Sequence, residues 1–183
     1  MQFQCVLFFI VVAAASTKIR AEPTQRSTRL DETRAQCIDN SAERTAALVA
    51  RDWSQLIRLS KRNLNLCSSV YGPEQRSNLH ARIAVANSRM EKHREALDAA
   101  DLCIRTYYPN TTCHLERVRA QTQLRRWKDA QATLEIARRL IAHSTEEAKK
   151  HFERQTDVAA RDFWSARLEQ LDAEAEELAQ ISP

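Results

Sequence analysis

A chain of 183 residues with one Gly and four Pro is long enough for one domain with a real core. Its recurrent Ala, Leu, Arg, Glu and Gln make an all-α fold the first expectation. The net charge of +4 is a slight excess from 28 basic and 24 acidic residues, which gives no ground for a nucleic-acid partner, and a single glycine excludes a glycine-rich backbone cradle for phosphate.

The first element is an apolar run from Val6 to Ala15, too short to span a bilayer. Ala13 and Ala15 form a small-x-small cleavage site. This pattern predicts a secretory signal peptide over residues 1–15, with Ala21 as a second cleavage candidate, although no Lys or Arg stands in the first four residues. Residues 16–36 are polar and mixed in charge, and are expected to be a disordered leader. The mature chain is expected to carry no membrane span and to reside in the endoplasmic-reticulum lumen or outside the cell.

Removal of Cys5 with the signal leaves Cys37, Cys67, Cys103 and Cys113. An even count in an oxidising compartment implies two disulfides, and four cysteines allow three connectivities. No C-x₂-C pair occurs, so structural zinc is not expected. Asn110-Thr111-Thr112 is an N-glycosylation sequon on what reads as an exposed turn, which makes Asn110 a candidate acceptor.

From Cys37 onward apolar residues fall at helical spacings, as in Leu56, Ile57, Leu59 and Leu64. Residues 80–104 can be set over residues 114–138. His80 then falls over His114, Ala84 over Val118, His93 over Trp127, Ala96 over Ala130, Ala100 over Leu134 and Cys103 over Ala137. Each copy predicts a helix, a short polar turn and a second helix. A 34-residue period of this kind is the signature of the tetratricopeptide repeat (TPR). The segments KHREALDAADLC and RWKDAQATLEIA resemble the second helix of that family, with Ala96 and Ala130 at its small-residue position. The turn aromatic matches Trp127, while His93 departs from it. Ala84 and Val118 stand where the family usually has Gly. An upstream copy, ARDWSQLIRLSKRNLNLC, puts Trp53 in the place of Trp127 and Leu56 in the place of the alanine; its spacing is 40 residues, the surplus falling in residues 68–73.

The resemblance implies a right-handed helical-hairpin solenoid with three TPR-like repeats at 37–76, 77–110 and 111–144, followed by a C-terminal capping helix or helices over 145–183. Ser144-Thr145-Glu146-Glu147 reads as a capping box that starts the cap. Asp157 reads as the N-cap of a second helix. Trp164, Leu168, Leu171, Ala175 and Leu178 are expected to face inward, with Glu169, Asp172, Glu174, Glu176 and Glu177 outward.

Placed on a TPR array, Cys37 begins a hairpin that Cys67 ends, and Cys103 and Cys113 flank a junction between repeats. The resemblance therefore implies the pairs Cys37–Cys67 and Cys103–Cys113, each stabilising by roughly 3–4 kcal/mol on the loop-entropy account. The stretch DLCIRTYYPNTTC is similar to a segment of the disulfide-containing TPR module of the endoplasmic-reticulum J-domain co-chaperones. No J-domain His-Pro-Asp occurs here, so the likeness is to a lumenal TPR module alone.

No metalloprotease, P-loop, nucleophile-elbow or dinucleotide motif occurs, so the expectation is no enzyme, no cofactor and no metal. His80 and His114 are repeat equivalents that could share a metal, but packing inside each hairpin is the simpler use. The family's inner groove, carried onto this chain, would be lined by Ile38, Leu48, Val49, Ala81, Arg82, Val85, Arg89, Leu115 and Arg119. Apolar residues interleaved with arginine suit an extended peptide with apolar and acidic side chains. The family's clamp for chaperone C-termini would fall on Ser41, Thr45, Arg82, Thr112 and Glu116. Only Arg82 suits it and Glu116 would repel, so that partner is not expected. The reading is a non-catalytic interaction module of the secretory pathway for a polypeptide partner or unfolded client. The alternative is a structural subunit that docks through Trp164 and the acidic C-terminal helix.

Overall fold

The computed structural model describes residues 31–33, 35–37 and 40–181. The expected signal peptide and Ile38 lie outside these residues. Residues 31–33 and 35–36, assigned above to a disordered leader, are helical and run towards α1, residues 40–49. The remaining helices are α2 (Trp53–Leu66), α3 (Pro73–Arg89), α4 (His93–Thr106), α5 (Thr111–Gln123), α6 (Trp127–Arg154) and α7 (Val158–Gln180). No strand occurs among the described residues, and none of their helices is long and apolar enough to cross a membrane.

The repeat register is written into the helix starts. Trp53, His93 and Trp127, equated by sequence, each open the second helix of a hairpin. Two residues before them, Arg51, Glu91 and Arg125 all adopt a left-handed backbone, with φ of 55°, 59° and 58°. That conformation turns the chain sharply after the first helix of each pair. Local chemistry sets other ends. The Asp52 carboxylate accepts from the Gln55 amide at 2.9 Å to cap α2, and Pro73 occupies the first turn of α3, where its missing N–H costs nothing.

Consecutive helices from α2 to α7 pack against one another, and next-but-one contacts occur for α3–α5 and α5–α7 but not for α4–α6. The odd helices therefore form the closer-set inner layer of a curved array and the even helices the outer layer. The core is continuous along it. Ala47, Leu56, Leu59 and Ala86 join the first hairpin to α3. Ile83, Ala84, Ala99 and Ala100 close the second hairpin, and Leu115, Val118, Leu134, Ala137 and Ile141 close the third. The small-residue positions Ala84, Ala96 and Ala130 are all buried, which lets the helix axes approach.

The C-terminal region differs from expectation in two respects. The capping box at Ser144 starts no helix: α6 runs unbroken for 28 residues, through the boundary drawn at 144/145. Ile141 and Ala148 continue its buried stripe against Leu171 and Leu178 of α7, and tertiary packing on a seven-residue period outweighs a local cap. Asp157 does cap α7, accepting from the Ala160 amide at 2.9 Å. On α7 the inward face is shifted. Ala175 is exposed and Glu174 is buried, its Oε1 accepting from Thr112 Oγ1 and Gln170 Nε2, each at 2.9 Å. Glu177 is not free in solvent either, because it is ion-paired with Arg119 of α5.

Candidate functional site

The inner face of α3 carries a stripe at helical spacing: Asn78, Arg82, Val85 and Arg89. Arg82 and Val85 are half-buried and Arg89 is exposed. Leu48 and Val49 of α1 are also exposed, Val49 by 79%. Ala81 and Leu115 do not belong to this surface. They are repeat equivalents, 34 residues apart, and both are buried. Ala81 packs on Cys103 and Cys113 and Leu115 packs in the third hairpin's core. The expected groove set was thus one position too wide in α3 and in α5, where Ala81 turns to the cysteine pair and Leu115 to the third hairpin's core.

Arg119 lies on the inner face of α5 and is held there from two sides, by Glu116 one turn back and by Glu177 of α7. Glu116 is fully buried and also accepts from Ser88 Oγ at 2.5 Å. Arg119 is accordingly a structural tether, whereas Arg82 and Arg89 make no ion pair among the described residues. Two clefts open at the C-terminal ends of the inner helices. One, of about 400 Å³, has Ser88, Arg89, His93, Arg119, Thr122 and Ile181 in its wall. The other, of about 430 Å³, is lined by Arg51, Trp53 and Arg89. Arg89 borders both.

Sequence reasoning missed Arg44. Subtracting the 40-residue offset from Ala84 would have placed it in the hairpin interface, at a position that is apolar in the other two repeats. It is 5% exposed, and neither its Nε nor its Nη1 has a hydrogen-bond partner. Burial, and then the charge of Arg44, pull the Arg82 guanidinium below the usual arginine range. The two cations therefore share one environment at the seam between α1 and α3.

Against known proteins, no family model matches the chain, and no curated protein matches it. Among solved structures it is similar to the TPR2B domain of yeast Sti1 in complex with pHsp70, with a TM-score of 0.56 at 14% identity, over 81% of this chain and 99% of that one. The fold is TPR-like. At that identity the likeness concerns the fold alone.

Within the TPR-like array, two of the expected clamp positions are engaged by the chain itself. Thr112 donates to Glu174 and Glu116 is pinned by Ser88 and Arg119. Cys37 and Cys67 lie at disulfide distance with Cα atoms 6.1 Å apart, and Cys103 and Cys113 with Cα atoms 6.0 Å apart, both within the Cα separation that a disulfide spans. Asn110 does not sit on an exposed turn. It is buried, and its Nδ2 donates to Ser77 Oγ at 3.0 Å and to Asn78 Oδ1 at 2.9 Å. His114 is buried too and donates from Nε2 to the Tyr108 carbonyl at 2.9 Å. No group of three or more candidate metal ligands forms among the described residues.

Proposed function

We propose that the chain is a non-catalytic protein-interaction module of the secretory pathway, lumenal or secreted, that holds a polypeptide partner or unfolded client along the inner face of α1 and α3. One observation carries this reading. Arg82, Val85 and Arg89 form a stripe on the concave side of a TPR-like array, and its two cations make no ion pair among the described residues. Two cysteine pairs at disulfide distance are compatible with an oxidising compartment, and the likeness of DLCIRTYYPNTTC to a lumenal module supports the same placement. The pHsp70 partner of the Sti1 domain is not carried over, since Thr112 and Glu116 are engaged within the chain.

The test is binding of a permanently unfolded, reduced and carboxymethylated protein, together with affinity capture of a native partner. Val85→Asp places a charge where apolar burial would supply most of the affinity, at roughly 25 cal/mol per Å² before association costs. It should abolish binding while leaving the helical spectrum intact. Arg89→Glu should slow association and weaken its salt dependence. Binding that is unchanged in both variants removes the groove from consideration.

A second reading rests on the far end of the molecule. Val158 and Phe163 of α7 are exposed by 73% and 64%, beside a long α6–α7 hairpin that projects past the repeats. This is where a structural subunit would dock. Trp164 is not the anchor, because it is stacked on His151 with ring centroids 4.5 Å apart. Loss of a captured partner in Phe163→Ser, with Val85→Asp binding normally, would favour this reading over the first.

A further inference from the structure

The two clefts at the turn edge of the array follow one another along it, with Arg89 at the end of α3 as a wall of both. The first, of about 430 Å³, opens where the turn after α1 meets α3 and is lined by Arg51, Trp53 and Arg89. The second, of about 400 Å³, opens among the ends of α3, α5 and α7 and the start of α4. Each is within the roughly 300–1,000 Å³ of small-ligand sites.

The walls share one chemistry. No carboxylate side chain lines either cleft. Arg119 is spent on Glu116 and Glu177, but Arg51 and Arg89 are exposed and make no ion pair among the described residues. Asp52, beside Arg51 in the chain, has its carboxylate on the Gln55 amide as the cap of α2. A recess walled by one sign of charge concentrates counter-charge, so the occupant is anionic. Trp53 packs partly on the first hairpin's core and gives the first cleft a flat apolar wall between two guanidinium groups. Guanidinium forks match oxyanions with several acceptor oxygens. Thr122, Gln123 and Gln180 add uncharged donors and acceptors to the second cleft. A single compact anion would fill one cleft and leave the other unused. Two adjoining clefts fit a chain whose units repeat an apolar ring face, an oxyanion and hydroxyl groups.

We propose that the two clefts form one binding site for a sulfated oligosaccharide. One sugar ring lies against Trp53 with its sulfate ester between Arg51 and Arg89, and the glycan runs on past Arg89 into the second cleft, where Thr122, Gln123 and Gln180 take its hydroxyl groups. This site goes beyond the polypeptide groove. It lies at the turn edge rather than around Val85, and shares with that reading only Arg89 and the secretory setting in which such glycans are met.

The experiment titrates the full chain with a heparin-derived hexasaccharide, its chemically desulfated counterpart and a hyaluronan hexasaccharide, which carries carboxylates and no sulfate. Only the first is expected to bind, more weakly as salt is raised. Arg51→Gln combined with Arg89→Gln should weaken it roughly tenfold, the scale of two exposed charge contacts. Lys61→Gln combined with Arg138→Gln removes the same charge from exposed positions outside both clefts and should change it by less than about twofold. Trp53→Leu, which keeps apolar packing on the hairpin, should weaken binding with the helical spectrum intact. Equal losses in the two charge-removing pairs would reduce the binding to general attraction for polyanions and overturn the site. So would equal binding of the desulfated sugar or hyaluronan, or a decathymidylate bound as tightly as the hexasaccharide. Val85→Asp separates the two readings: hexasaccharide binding should survive it, and loss there would place the glycan in the polypeptide groove and overturn the turn-edge site. Hexasaccharide binding by a protein that takes no unfolded polypeptide would sustain this site while the groove reading fails.

Discussion

Asn110 and Ser77, 33 residues apart in the chain, are joined by a hydrogen bond of 3.0 Å from the Asn110 amide to the Ser77 hydroxyl. The second amide proton goes to Asn78 at 2.9 Å. Together they tie the start of α5 to α3 across the Cys103–Cys113 pair. Asn110→Ala should therefore cost about 1–3 kcal/mol, because it leaves buried partners unmatched. A glycan on this nitrogen would displace at least one of the bonds from a buried site. Intact-mass measurement of natively folded protein from a secretory host should read Asn110 unmodified; a fully glycosylated native fold with an undiminished melting temperature would contradict this account.

The left-handed turn residues predict stabilising changes. Glu91 and Arg125 hold φ near +60°, a conformation that costs a side-chain-bearing residue roughly 1 kcal/mol or more and glycine almost nothing. Glu91→Gly and Arg125→Gly should each raise stability by about 0.5–1 kcal/mol in urea titration, with the m-value unchanged. A loss in either would mean that the side chain is more valuable to the turn than its backbone strain is costly.

The cysteine pairs predict unequal effects. Closing 30 residues restrains the unfolded chain more than closing 10, so loss of Cys37–Cys67 should destabilise by roughly 3.6 kcal/mol and loss of Cys103–Cys113 by roughly 2.7 kcal/mol, the latter just under the range expected of each from sequence. Paired Cys→Ser variants compared by denaturant titration give the order. Non-reducing peptide mapping that links Cys103 to Cys37 or Cys67 would overturn the pairing itself.

Arg119 is expected to matter for folding rather than for recognition. Arg119→Ala strands the fully buried Glu116 carboxylate and releases Glu177 of α7. Removing one partner of a buried ion pair costs roughly 3–5 kcal/mol, so the variant should melt far below the parent. A Tm within a few degrees of the parent would show that water reaches Glu116.

Acid should weaken the fold through His114 and His80. Burial is the largest cause holding His114 below the ordinary value of 6.5; its bond to the Tyr108 carbonyl opposes this and Arg117 adds to it. His80 is lowered by burial and then by Arg76. A depressed folded value means that the unfolded chain binds the proton more readily. The contribution is therefore complete above about pH 6.5 and is lost as pH falls through the lowered folded values. Melting temperature should drop between pH 7 and 5, and His114→Phe should flatten that drop; an identical slope in the variant would place the acid sensitivity elsewhere.

The period of the array was legible in the sequence because it rests on one-dimensional facts. Residues at 34 and 40 positions apart repeat their type, and Trp53, His93 and Trp127 open equivalent helices for that reason. The cysteine pairing followed from the same register, since antiparallel hairpins bring Cys37 to Cys67 whatever surrounds them. What only the tertiary structure decided is which flank of each first helix is covered. Ala81 went into the core against the Cys103–Cys113 pair and Leu115 against α6 and α7, and Glu174 turned inward because Thr112 waits there as a donor. The local capping signal at Ser144 was overruled by the packing of Ile141 and Ala148 on α7, and the sequon's asparagine was claimed by α3. Each depends on contacts between residues distant in the chain, for which neither helical period nor local propensity carries a signal. Arg44 shows the division most plainly: its place in the repeat could be counted from the sequence, but its burial, with Nε and Nη1 unpartnered, arises only when the helices close around it.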